Sequence, residues 1–105
     1  MERVEEIRFE GQTIRLTRVD RQWWVFCADA APRIRHDLSQ EELYAKTPDR
    51  ERRIVRTRTG VFAHLVSARY LLHMLHKDDT TNRNRFRAWL RAWKIVSDAA
   101  VVDED

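Results

Sequence analysis

The apolar residues of this chain change period part-way along it, and that change constrains the fold more than any other feature. Near the start, Ile7-Arg8-Phe9 and Thr13-Ile14-Arg15-Leu16-Thr17 alternate apolar with polar residues, the period of a half-buried strand. Near the end, Phe86, Trp89, Leu90, Trp93 and Val96 recur at the spacing of a single helical stripe. The two periods together predict an α+β domain: an N-terminal antiparallel β-meander packed against two longer C-terminal helices, in one compact unit.

Punctuation refines this outline. Glu10-Gly11-Gln12 and Asp20-Arg21-Gln22 read as turns, and Trp23-Trp24-Val25-Phe26-Cys27 is rich in the aromatic and β-branched residues of a buried third strand. Adjacent on a strand, Trp23 and Trp24 point to opposite faces, so one of them either offers a stacking platform for bases or is covered by a helix. Asp29 is placed to cap a helix beginning at Ala30-Ala31, with Pro32 in its first turn and its end near His36. Ser39 and Glu42 have capping-box spacing ahead of a short helix that closes before Pro48. From Gly60 to about His76, the residues Val61, Phe62, Leu65, Leu72 and Leu75 fit one side of a helix, which ends at Lys77-Asp78-Asp79-Thr80-Thr81. The last helix starts near Asn82.

No repeat, linker or low-complexity tract interrupts the 105 residues, which predicts a single domain over 1–105 with a short acidic tail from about 98. No apolar stretch approaches the roughly 20 residues that span a bilayer, and the start MERVEEIRFE is acidic where a signal peptide would be apolar. The lone Cys27 sits in an apolar run and behaves as a small buried hydrophobe. These features predict a cytoplasmic protein with no membrane partner.

The net charge of +3 conceals a strong asymmetry. Residues 1–49 carry 8 Lys/Arg against 10 Asp/Glu, residues 50–94 carry 12 against 3, and residues 95–105 carry none against 4. Of the 12 cations in the middle segment 10 are arginine, whose planar guanidinium suits phosphate or carboxylate better than an ammonium does. Between Arg50 and Arg58 only Ile54 and Val55 could dock the chain, as an edge strand. On the last helix Arg83, Arg87, Arg91 and Lys94 form a second stripe beside the apolar one. Arg53, Arg56, Arg58, Arg83, Arg87, Arg91 and Lys94 are therefore the candidate binding residues, either for nucleic-acid phosphates or for an acidic protein. The plain alternative is a solvated face that keeps the protein in solution.

Other chemistry finds little footing. His73 and His76 with Asp78 could share a metal, but neither Cys27 nor His36 is placed to complete four ligands. Ser39, Ser67 and Ser97 lie in no nucleophile setting, and 2 glycines leave no phosphate-cradling loop. The sequence predicts no enzyme, no cofactor, no metal and no small-molecule substrate.

Three blocks in order resemble the BRO N-terminal domain of viral DNA-binding proteins and phage antirepressors. Trp24, Val25 and Phe26 with Asp29-Ala30-Ala31-Pro32-Arg33-Ile34 look like the family's strand and helix start. Thr59-Gly60-Val61-Phe62 is similar to its Ser-Gly-Leu-Tyr, and Phe86 with Trp89 matches the Phe-x-x-Trp of its closing helix. Two departures stand beside them: Trp93-Lys94-Ile95-Val96 replaces the family's usual Val-Leu-Pro, and the stretch from Leu71 to Arg83 is longer than usual. The resemblance implies a phage- or prophage-encoded transcription regulator in the bacterial cytoplasm that binds DNA. The rival expectation is a protein-interaction module that captures a repressor or host factor, acting alone or as a homo-oligomer.

Overall fold

The computed structural model describes the backbone of residues 4–75 and 81–104 and the side chains of residues 4–75 and 84–95. Its strands are β1 (Val4–Phe9), β2 (Gln12–Val19), β3 (Gln22–Phe26), β4 (Arg52–Arg56) and β5 (Phe62–Ser67); its helices are α1 (Cys27–Ile34), α2 (Gln40–Lys46), α3 (Ala68–Leu75) and α4 (Thr81–Glu104). The strands form one antiparallel sheet in the order β1-β2-β3-β5-β4. The architecture is α+β, as the change of period predicts.

The meander forms where the alternation places it. Ile7, Phe9, Ile14 and Leu16 face one side, and Trp23 and Val25 join them from β3. Glu10 and Gly11 reverse the chain with φ of 49° and 79°, the left-handed pair whose twist suits a two-residue hairpin loop. Asp20 and Arg21 repeat that geometry at 53° and 66°, but with a Cβ at both positions, so the second reversal holds strain that Gly11 spares the first.

Helical residues close the core on this face: Ala30 and Ala31 of α1, Leu43 of α2, Leu71 and Leu75 of α3, and Phe86 and Leu90 of α4. Phe86 and Trp89 meet Phe9 at ring-centroid distances of 5.4 and 5.2 Å, and Trp93 meets Trp23 edge-on at 4.6 Å. Phe86 and Leu90 are fully buried, whereas Trp89 and Trp93 are half-buried at the margin of the stripe. The opposite face of the sheet carries a smaller cluster built from strand residues alone, with Val19, Trp24, Phe26, Ala63 and Leu65 at its centre. Arginine stems roof it: the Arg15 guanidinium lies 4.6 Å from the Phe26 ring and that of Arg53 lies 5.6 Å from Trp24. Both tryptophans of β3 are thus enclosed, at 8% and 6% exposure, and neither stands open as a stacking platform.

Four local expectations give way to tertiary structure. The helix expected from Gly60 to about His76 is β5 followed by α3. Leu65 and Val66 are both buried because β5 is covered on both faces, and such a strand loses its alternation and imitates a helical stripe. Asp29 does not cap a helix, since α1 already begins at Cys27. Its carboxylate instead accepts from the Arg15 backbone N–H and Nε at 2.8 Å each and from Nη2 at 3.0 Å. The β2–β3 ladder begins at Leu16, and Asp29 supplies the acceptor that Arg15 would otherwise lack. The earlier helix start leaves Pro32 in the interior of α1, which stops two residues later. The backbone of the acidic segment from about 98 continues α4 to Glu104 rather than forming a tail. The Ser39 cap is as expected: Oγ accepts from the Glu42 N–H at 3.1 Å. Among the described residues no helix is long and apolar enough to cross a membrane.

Candidate nucleic-acid interface

Three of the candidate arginines lie on β4 and the turn after it. β4 is an edge strand, with β5 as its only strand neighbour among the described residues. The hairpin closes through the Thr57 N–H to the Val61 carbonyl at 2.8 Å and the Gly60 N–H to the Thr57 carbonyl at 2.9 Å. Gly60, at φ 86°, occupies the one position of this turn that side chains avoid. Of the two residues expected to dock the segment, Val55 packs on the strand-only cluster while Ile54 stays 48% exposed. Strand alternation turns Arg53 to the same side as Val55, where it pairs with Asp20 at 3.2 Å. Arg56 and Arg58 are exposed and make no hydrogen bond or ion pair among the described residues. Beside them Val61 is 63% and Phe62 is 65% exposed, and Phe62 stands directly opposite Arg56.

The helical candidates differ among themselves. Arg87 is half-buried and its Nε reaches the Leu72 carbonyl at 3.4 Å, tying α4 to α3. Arg85, outside the expected set, pairs with Glu10 in the β1–β2 turn. Arg91 is exposed and Lys94 half-buried, while the side chain of Arg83 lies outside the described residues. α4 packs on Phe9 of β1 and Trp23 of β3, and β4 lies four strand spacings from β1, about 19 Å at the usual 4.8 Å per strand. The structure therefore divides the expected arginine surface into two, at the hairpin and on α4.

Sequence reasoning missed several residues that shape the hairpin end. An open cleft of about 780 Å³ lies between the hairpin tip and the strand-only face, with Glu6, Arg15, Phe26, Arg58, Phe62 and His64 among its walls. Arg15 is fixed there by Asp29, whose hydrogen bond raises the guanidinium pKa further against the opposing effect of burial. Arg52 is structural: it donates to the Tyr44 carbonyl at 3.0 Å and to Asp49 at 2.6 Å, with its guanidinium over the Tyr44 ring. Phe62 was hidden by the helical reading of its segment. A sequence signal did exist, because Thr-Gly between an arginine-rich strand and an aromatic is hairpin-turn chemistry.

The remaining reactive groups serve structure. Burial pushes the Cys27 thiol up to about 12, which keeps it protonated and unreactive. Ser67 caps α3 by accepting from the Tyr70 N–H at 3.1 Å and donates to Glu51. Burial raises the Glu51 pKa, but its bonds to Ser67 and Arg69 outweigh that and hold the carboxyl below its ordinary value. Of the metal candidates, His73 is exposed on α3 while His76 and Asp78 lie outside the described residues. No group of three or more potential ligands gathers among the described residues. No protein-family model, curated protein or solved structure matches this chain.

Proposed function

We propose that this chain is a non-catalytic regulatory module of the BRO N-terminal type, phage- or prophage-encoded, that binds DNA in the bacterial cytoplasm through the β4–β5 hairpin. One observation carries the proposal: Arg56 and Arg58 stand exposed and unpaired among the described residues, on a two-stranded ribbon that also presents Phe62. The major groove of duplex DNA admits such a ribbon, and arginine there can serve both phosphates and guanine edges. The inert Cys27 and the fully engaged Ser67 support a non-catalytic role.

A second reading has its own observation. Ile54 and Phe62, at 48% and 65% exposure, put an apolar centre among the arginines, and arginine with aromatics is the composition of protein interfaces. On that reading the hairpin captures a repressor or host protein. Titrating duplex DNA at low and physiological salt separates the two. Binding at low salt, with affinity falling as salt rises, supports the first. No measurable binding at low salt refutes it and leaves the second.

A further inference from the structure

β4 leaves a row of backbone groups without a strand partner among the described residues. The Thr57 N–H to Val61 carbonyl bond closes the hairpin, and antiparallel pairs alternate between bonded and non-bonded positions. Counting back along the register, Val55 and Arg53 bond inward to β5, while the N–H and C=O of Arg52, Ile54 and Arg56 turn outward. An open edge of this kind is a template for another strand.

Side chains decide which strand it accepts. A second copy is disfavoured: antiparallel pairing of two β4 edges about Ile54 sets Arg52 opposite Arg56 at both ends, and like charges directly opposite repel. Edge arginines alone would be ordinary protection against aggregation. Here the middle of the edge is apolar and exposed, for Ile54 and Phe62 are diagonal neighbours on one face of the hairpin. Arg56 flanks them on that face and Arg58 follows in the turn, neither with a hydrogen bond or ion pair among the described residues.

We infer that the β4 edge binds an extended acidic segment of a partner protein by antiparallel strand addition. The segment sets an apolar residue opposite Ile54, an acidic residue two positions away opposite Arg56, and a further acid toward Arg58. This inference stands on the edge geometry and does not depend on DNA binding. Because the two ligands would share Arg56 and Arg58, the acidic strand displaces duplex wherever duplex binds.

The test uses the intact chain and synthetic peptides that carry one apolar residue with an acidic residue two positions to either side of it, read by calorimetry. One N-methyl group is placed either on the apolar residue that faces Ile54 or on its neighbour. Methylation at the facing amide should weaken binding about fivefold, the worth of one hydrogen bond, and methylation at the neighbour should not. Arg56→Glu, at an exposed position that leaves the core untouched, should weaken the acidic peptide about tenfold and favour its lysine counterpart. No binding of the acidic peptide at low salt overturns the inference. So does binding indifferent to the position of the methyl group, which would mark charge attraction without strand addition. If the peptide fails while duplex DNA binds, only this inference falls; if duplex fails, the peptide result still decides it.

Discussion

The hairpin and α4 both carry arginines of the basic segment, and they differ in how much of the apolar surface beside those arginines is covered. On α4 the cations flank a stripe whose Phe86 and Leu90 are fully buried, and Arg85 and Arg87 are engaged by Glu10 and the Leu72 carbonyl. On the hairpin the neighbouring Ile54, Val61 and Phe62 are exposed, and Arg56 and Arg58 are unpaired among the described residues. An arginine count sees the two alike. What separates them is how far the apolar residues beside the charges are covered: on α4 Phe86 and Leu90 are buried and Ile95, at 61%, is the one large apolar side chain left exposed among the described residues.

The largest effect should come from the phenylalanines. Phe86→Ala is expected to destabilise the fold by about 3–5 kcal/mol, because it empties a fully buried site between β1 and α4. Phe62→Ala should stay within about 0.5 kcal/mol. Thermal melts of the two variants measure the difference, and a large loss from Phe62→Ala would mean that the hairpin residue is core after all.

A smaller effect, of opposite sign, is expected at the β2–β3 turn that holds Arg53 through Asp20. Arg21 sits at φ 66° with a full side chain, so Arg21→Gly should stabilise the protein by about 1 kcal/mol in denaturant unfolding. A destabilised variant would show that the Arg21 side chain does more than endure the turn.

The smallest contrast lies between two arginines. Arg87→Ala removes the bond to the Leu72 carbonyl and should lose about 1 kcal/mol, while Arg58→Ala should be neutral within about 0.5 kcal/mol. Equal losses would erase the distinction between a structural and a free arginine.

The sequence made the first half of the fold legible because local and tertiary demands agree there. The alternation of Ile14 and Leu16, the Gly11 turn and the Ser39 cap each do in the fold what their chemistry favours locally. The second half was harder for an identifiable reason. β5 is buried on both faces, so Leu65 and Val66 are both apolar and period 2 vanishes from the sequence. A helical stripe over this segment places Phe62 in the core rather than at the hairpin tip, and so conceals the apolar part of the candidate site. Asp29 shows the same lesson in reverse, since a residue fit for capping was claimed by Arg15, 14 positions away. The arginines stand out in the charge of residues 50–94, but no one-dimensional pattern tells that β4 and α4 lie at different ends of the sheet.

The most direct test of the hairpin as the contact surface is the salt dependence of duplex DNA binding, measured for Arg56→Ala/Arg58→Ala beside Arg91→Ala/Lys94→Ala. If the hairpin holds the phosphates, the first pair should flatten the slope of log affinity against log salt by about 0.9 for each phosphate no longer neutralised, while the second leaves it nearly unchanged. A slope unaffected by the hairpin pair and flattened by the helix pair would contradict that assignment and move the DNA-binding surface to α4.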